Sequence, residues 1–126
     1  MTAPIRILHL EDDPNDAELI ALHLSSQDLA HALVQVKSQA EFMAALEKDK
    51  FDLILADNSG PSFSGRNALT LAREKLPQAA FILLTGSFEG EVARAEMKKD
   101  ADGYVLKDDL TELVPTIQRA LQAKNK

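Results

Sequence analysis

Five short apolar runs constrain the fold of this chain more than any other feature: IRILHL, ALVQV, FDLILA, AFILLT and GYVLK. Each is five or six residues long, is rich in Ile, Leu and Val, and is bounded by polar or turn-forming residues. Such runs are typical of buried strands rather than helices. Longer amphipathic stretches separate them, and this alternation predicts a parallel sheet with helices on both faces.

Local signals mark where the first three predicted helices begin or end. Asp13 can act as the N-cap of the first helix, with Pro14 at its first position. Ser38 and Glu41 form an S-x-x-E capping box before the second helix. An apolar stripe that stops before Pro77 predicts the third helix.

The two remaining predicted helices differ in their apolar stripes. The fourth, over residues 89–99, has the poorest stripe of the five and is expected to dock weakly. The fifth has a clear stripe, but its Pro115 is tolerated only near the start of a helix. We therefore place DDLTE in a turn and expect regular helix to begin near Glu112 or Leu113.

Composition narrows the range of functions. The net charge of −6 disfavours nonspecific binding to nucleic acids or anionic membranes. The absence of cysteine excludes a disulfide framework and a thiolate metal site. No segment has the pattern of a signal peptide or a membrane span. We expect one cytoplasmic domain over residues 1–126, without an effector domain and without direct nucleic-acid or membrane contacts.

Chemically versatile side chains follow four of the five predicted strands. Glu11 and Asp12 follow the first strand, Asp57 ends the third, Thr85 ends the fourth and Lys107 ends the fifth. In open α/β sheets, function gathers beyond the carboxyl ends of the strands. Converging carboxylates repel one another, and a hard cation such as Mg²⁺ removes that cost. A carboxylate beside Mg²⁺, with an ammonium and a hydroxyl group nearby, suits attack on phosphorus.

These motifs make the chain resemble a known family over essentially its whole length. LEDDP follows the first strand, and DLILADNSGPSFSG matches D-x-x-φ-P-x-x-x-G through Asp57, Pro61 and Gly65. FILLTG and GYVLK complete the set in the same order. The chain resembles the receiver domain of two-component response regulators, which has the chemotaxis-regulator-like fold. The resemblance implies a flavodoxin-like, doubly wound α/β fold: a five-stranded parallel sheet in the order 2-1-3-4-5, with five helices in three α/β/α layers.

The resemblance also implies a role for each motif residue. Asp57 would accept a phosphoryl group from a phosphohistidine of a sensor histidine kinase or a histidine phosphotransfer protein. Thr85 and Lys107 would contact that group. Tyr104 would turn inward when the threonine is drawn to the phosphate, which would switch the surface of the fourth helix, fifth strand and fifth helix. A downstream effector, or further domains of a longer chain, would detect that change.

A metal site is implied at the same strand ends. Glu11 and Asp12 would hold Mg²⁺, Asp12 more directly, together with Asp57 and the main-chain carbonyl of Ser59. This set is the one that a Mg²⁺-dependent phosphoryl transfer requires of the protein.

Two of the chain's departures from the family pattern lie beside the predicted site. Gly60 stands before Pro61, where a large apolar residue is usual, which should loosen the loop after the phosphoacceptor. Asp108 follows Lys107, where the family usually has a proline with a cis bond. A cis peptide before a non-proline residue costs about 3 kcal/mol, so we expect a trans bond there.

Two other functions compete with a phosphorylated switch. The first is a degenerate receiver that binds proteins independently of phosphorylation, but the complete set of Asp12, Asp57, Thr85 and Lys107 argues against it. The second is a Mg²⁺-dependent phosphatase, which would need an acid two residues after its nucleophile, where this chain has Ser59. We therefore expect no enzyme with an external substrate, but a switch that catalyses only its own phosphorylation and dephosphorylation.

Overall fold

Five parallel strands form the centre of the computed structural model. The structure describes residues 4–27, 29–57, 65–85, 101–106 and 109–124. Residues 57, 65, 66 and 85 are described by their backbone alone. The spatial order of the strands is β2-β1-β3-β4-β5. The strands are β1 (Ile5–Leu10), β2 (His31–Val36), β3 (Leu53–Asp57), β4 (Ala80–Thr85) and β5 (Gly103–Leu106). This order confirms the flavodoxin-like topology that the resemblance implied.

Four α-helices lie within the described ranges: α1 (Pro14–Ser26), α2 (Gln39–Lys48), α3 (Gly65–Lys75) and α4 (Leu113–Lys124). A short 3-10 turn over Leu110–Glu112 leads into α4. Regular helix thus begins at Leu113, as predicted from the position of Pro115. The predicted fourth helix over residues 89–99 falls outside the described residues, as does the bond after Lys107. None of the four helices combines the length and apolar character that crossing a bilayer requires.

The N-termini of α1 and α2 show two confirmed caps and one correction. Asn15 N–H donates to the Asp13 carboxylate at 2.8 Å, so Asp13 caps α1 as predicted. Glu41 N–H donates to Ser38 Oγ at 3.2 Å, which confirms half of the capping box. The reciprocal bond differs, because Glu41 Oε1 accepts from Lys37 N–H at 2.7 Å rather than from Ser38. Lys37 directly follows β2, and its amide takes the bond expected for the cap residue.

The predicted start of β3 is also corrected. The FDLILA run begins at Phe51, but the strand begins at Leu53. Asp52 is drawn into a side-chain contact at this point, since its carboxylate accepts Arg6 N–H at 2.9 Å. Phe51 is buried beside it, and the Arg6 guanidinium lies 5.5 Å from its ring centroid.

Two buried clusters hold the layers together, one on each face of the sheet. The first joins α2 and α3 to side chains such as Leu8, Ile54 and Phe81. The second joins α1 and α4 to the alternate strand positions, such as Ile7, Leu55 and Ile82. Both faces of the central strands are therefore covered, which explains why their sequences are continuous apolar runs. β2 is an outer strand of the sheet, with β1 as its neighbour, and several of its side chains are exposed.

Asp102, just before β5, links three other elements. Its carboxylate accepts Phe81 N–H from β4 at 2.8 Å and pairs with the Arg73 guanidinium of α3 at 3.1 Å. The Lys124 ammonium of α4 lies 3.8 Å from its second oxygen. The main-chain N–H of Asp102 in turn donates to the Phe81 carbonyl at 2.8 Å. This network fixes the amino end of β5 against the rest of the sheet.

Gly103 permits the close approach of α4 to β5. A Cβ atom at this position would lie 2.7 Å from Cγ2 of the buried Thr116. We predict that Gly103→Ala lowers the free energy of unfolding by about 1–3 kcal/mol, the usual cost of overpacking a core. Urea unfolding followed by circular dichroism measures the change.

Thr116→Ser supplies the matched control, since it removes Cγ2 and keeps the hydroxyl that accepts from Arg119 at 3.2 Å. The Gly103→Ala/Thr116→Ser double variant should recover much of the stability that Gly103→Ala alone loses. Equal losses in the single and double variants would show that the contact with Thr116 is not the cause.

Candidate functional site

The register of the sheet brings the carboxyl ends of neighbouring strands to one edge. Leu10 of β1 pairs with Ala56 of β3, so Glu11 and Asp57 are each the next residue beyond a paired row. Asp57 pairs with Leu84 of β4, and Thr85 therefore stands one residue beyond Asp57. The predicted acids and the predicted hydroxyl group thus belong to the same edge of three adjacent strands.

The two acids after β1 occupy different environments. Glu11 is only 2% exposed, whereas Asp12 is exposed. Glu11 N–H donates to the Val36 carbonyl at 2.9 Å, which extends the pairing of β1 and β2 past the end of β1. Its carboxylate accepts Asp13 N–H at 3.3 Å. The main chain therefore holds Glu11 in the interior and leaves Asp12 at the surface.

The remaining predicted site residues, Lys107 and Ser59, can be located only through the strands that precede them. Thr85 pairs with Leu106 of β5, so Lys107 is the residue that directly follows the row containing Thr85. Lys107 and Ser59 themselves lie outside the described residues. The structure thus brings Glu11, Asp12 and the backbones of Asp57 and Thr85 to one edge, and the roles of all six residues stay predictions.

Tyr104 lies in β5 and pairs with Leu83 of β4. Its side chain is half-buried and packs against the cluster under α2 and α3. Two cavities of ≈300 Å³ and ≈290 Å³ share Tyr104, Thr116 and Arg119 in their linings. The ring is thus packed on one side and borders open volume, and its role as a switch stays a prediction.

A polar contact between His9, two residues before Glu11 on β1, and Gln35 was not predicted from the sequence. His9, on β1, is fully buried, and its Nδ1 lies 3.2 Å from Nε2 of Gln35 on β2. The same Gln35 nitrogen donates to the Ala17 carbonyl of α1 at 2.7 Å. This contact joins β1, β2 and α1 close to the acids. A polar residue in each of two adjacent apolar runs is the signal that could have revealed it.

The described side chains provide part of a metal site. No group of three or more His, Asp and Glu side chains within the described ranges is arranged to hold an ion. The predicted set depends on the side chain of Asp57, which is not among those described. What the structure places is a buried and an exposed carboxylate at the end of β1, next to the strand that ends in Asp57.

Asp13 has a structural role that can be separated from the chemistry of the site. We predict that Asp13→Ala lowers the free energy of unfolding by about 1 kcal/mol, because Asn15 N–H loses its acceptor at the start of α1. Asp13→Ser, which keeps a capping oxygen, should restore most of that loss. Chemical unfolding of the three proteins measures the effect, and an alanine variant as stable as the wild type would contradict it.

Comparisons with known proteins converge on one family. The sequence model of the response regulator receiver domain matches residues 7–118. The transcriptional regulatory protein GlrR of Escherichia coli is 27% identical, over 89% of this chain, and the chain spans 28% of that protein's length. A receiver domain from Clostridium thermocellum superposes with a TM-score of 0.81 at 24% identity, covering 96% of this chain and 97% of that one.

A further solved structure is similar at the same level. It is the receiver domain of a sensor histidine kinase from Pseudomonas aeruginosa, with a magnesium ion coordinated in its active site cleft. Its TM-score is 0.80 at 24% identity, and the match covers 95% of this chain and 99% of that one. At this identity the structural likeness establishes the fold.

Proposed function

The chain belongs to the response regulator receiver domain family of two-component systems, and on that premise we propose that Asp57 accepts a phosphoryl group from a phosphohistidine. The donor would be a sensor histidine kinase or a histidine phosphotransfer protein. The observation that carries this proposal is the register of β1, β3 and β4, which aligns Glu11, Asp57 and Thr85 at one edge.

The reaction is an exchange of bonds at phosphorus. A carboxylate oxygen of Asp57 attacks, the P–O bond forms, and the N–P bond to the partner's imidazole breaks. The imidazole leaves with the electron pair of that bond and takes up a proton. Charge on the transferred group would be stabilised by the Lys107 ammonium and the Thr85 hydroxyl. The pairing of Thr85 with Leu106 supports this assignment, because Lys107 is the next residue.

The donor set at this edge fits Mg²⁺. Glu11 and Asp12 offer carboxylate oxygens, and Asp57 and the carbonyl of Ser59 would add two more oxygen ligands, which suit this hard cation. Glu11 is 2% exposed, and a cation bound beside it would favour the ionised form of this buried carboxylate. When bound, the ion would neutralise charge on the transferred group.

Phosphorylation would be transmitted through Thr85 and Tyr104. Tyr104 is half-buried and lines two cavities on the β5 side of the molecule, which supports a change in the position of its ring. A shift between two such states would change the surface around β5 and α4 that partners contact. A downstream effector, or other domains of a longer protein, would recognise the change. We expect the protein to turn over no external substrate.

The first test is phosphorylation by a small donor. We predict that incubation with acetyl phosphate and Mg²⁺ adds the mass of one phosphoryl group, and that EDTA prevents the addition. Asp57→Asn should abolish it, because an amide is not a nucleophile toward phosphorus under these conditions. Intact-mass spectrometry of both proteins measures the result.

Asp52→Asn is the matched control, since Asp52 stands at the opposite end of the same strand segment. It should be phosphorylated as the wild type is. A phosphoryl group retained in Asp57→Asn would place the acceptor elsewhere. If neither acetyl phosphate nor a phosphohistidine donor adds a group, the chain is a degenerate receiver that binds its partners independently of phosphorylation.

The second test concerns the metal. We predict that Asp12→Asn weakens Mg²⁺ binding on the order of tenfold, because a charged oxygen ligand becomes neutral. Asp13→Asn removes the same charge from the neighbouring position and keeps a capping side chain, so its effect should be much smaller. Isothermal titration calorimetry gives both affinities. Equal weakening in the two variants would indicate general electrostatics rather than ligation by Asp12.

A further inference from the structure

A third cavity lies at the end of the sheet opposite the candidate site. Its volume is ≈640 Å³, and it is formed where β1, β3 and β4 begin and α4 ends. This volume is in the range of small-molecule sites. Nothing in the proposed phosphoryl transfer uses this edge, since Asp57 ends β3 on the other side. The cavity therefore calls for an explanation independent of the proposed function.

The floor of this cavity is apolar and firmly placed. It consists of residues from four segments of the chain: Ile5, Phe51, Leu76 with Ala79, and Leu121. Phe51 is 6% exposed, and the Arg6 guanidinium lies 5.5 Å from its ring centroid. The main chain is tied here as well, because Ala79 N–H donates to the Leu76 carbonyl at 3.0 Å. A flat apolar group could pack on this floor without rearranging the sheet.

The rim of the cavity carries positive charge. Lys50, Lys75 and Lys124 line it, against the single acid Asp52. The Asp52 carboxylate already accepts the N–H of Arg6 at 2.9 Å. Among the residues that line the cavity, three lysines outnumber one acid, whereas the whole chain has a net charge of −6. Such a local field attracts anions.

The ion pairs of these lysines are exposed or long, so their ammonium groups can also bind a ligand. Lys75 lies 3.4 Å from Glu47, and both side chains of that pair are exposed, where such pairs contribute little. Lys124 is 3.8 Å from Asp102, whose closer partner is Arg73 at 3.1 Å. Lys50 takes part in none of the ion pairs found within the described ranges.

We propose that this cavity binds a small amphipathic carboxylate, with an aromatic or compact apolar body on the floor and the carboxylate at the lysine rim. The apolar floor accounts for the body and the charge of the rim accounts for the anion. Lysine ammonium groups act as point charges on flexible stems, so several of them can meet one carboxylate without a fixed orientation. The binding is independent of Asp57 and of Mg²⁺.

The test compares two probes of the same shape. 2-Naphthoate carries the carboxylate, and 2-naphthamide is its neutral counterpart. Each is titrated into ¹⁵N-labelled protein, and amide chemical shifts are followed. We expect saturable shifts at Ile5, Phe51, Ala79 and Leu121 with 2-naphthoate. Its affinity should be about fivefold higher than that of the amide, the range expected for ion pairs at a partly exposed rim, and the difference should shrink in high salt.

Charge variants assign the effect to the rim. Lys50→Gln should weaken 2-naphthoate binding about twofold to threefold and leave 2-naphthamide unchanged. Lys48→Gln is the matched control, because Lys48 is exposed at the end of α2 and does not line the cavity. It should leave both affinities unchanged.

Three outcomes would overturn the proposal. One is the absence of saturable shifts at the floor residues, and another is equal affinity for the two probes. The third is the appearance of the same shifts when the concentration of the unliganded protein is raised, which would make this edge a contact between two copies of the chain.

Discussion

The parallel register of the sheet is the constraint on which the site depends. Leu10, Ala56, Leu83 and Tyr104 form one row across four strands, and the residues beyond that row form the functional edge. A slip of one residue would turn every buried side chain of a strand to the other face. Because helices cover both faces of the central strands, such a slip would force both buried clusters to repack. The apolar core therefore determines where the acids emerge.

The two edges of the sheet use charge in opposite ways. At the carboxyl edge, Glu11, Asp12 and Asp13 follow one strand and Asp57 ends its neighbour, so negative charge accumulates there. That charge attracts a cation but repels a phosphoryl donor, which is why the proposed function requires both Mg²⁺ and Lys107. At the opposite edge, Asp102 is compensated by Arg73 and Lys124, and the cavity rim is lined by lysines. The acids at the carboxyl ends of the strands are thus available for the proposed chemistry, whereas Asp102 at the opposite end is held in ion pairs.

How much could be predicted from the sequence depends on whether the signal is local. The apolar runs, the Asp13 cap and the start of α4 at Leu113 follow from residues close in sequence, and they are confirmed. The placement of Glu11, Asp57 and Thr85 at one edge follows from strand order. The predicted partner of Glu41 and the predicted start of β3 were wrong. In each case a backbone N–H, of Lys37 or of Arg6, donates to a side-chain carboxylate.

Contacts between distant segments could not be predicted in this way. Asp102 is 29 residues from Arg73 and 21 from Phe81, and nothing in the GYVLK run shows that the acid before it would join three other elements. The same holds for Gly103, whose need for a missing side chain appears only when α4 packs on β5. The resemblance supplied the roles of the site residues, which physical reasoning from single residues left open.

These distant contacts restrict how a signal from Asp57 could spread. Within the described part of the chain, β5 has four residues and one neighbouring strand, so the contacts at its ends contribute much of what holds it. Its amino end is fixed by Asp102 and by the close contact of Gly103 with Thr116. Tyr104 is the next residue, and it lines two cavities, one of which Asp102, Gly103 and Thr116 also line. Under the proposed function, we expect the response to phosphorylation in the three residues of β5 from Tyr104 to Leu106, with Gly103 held in place by its contacts.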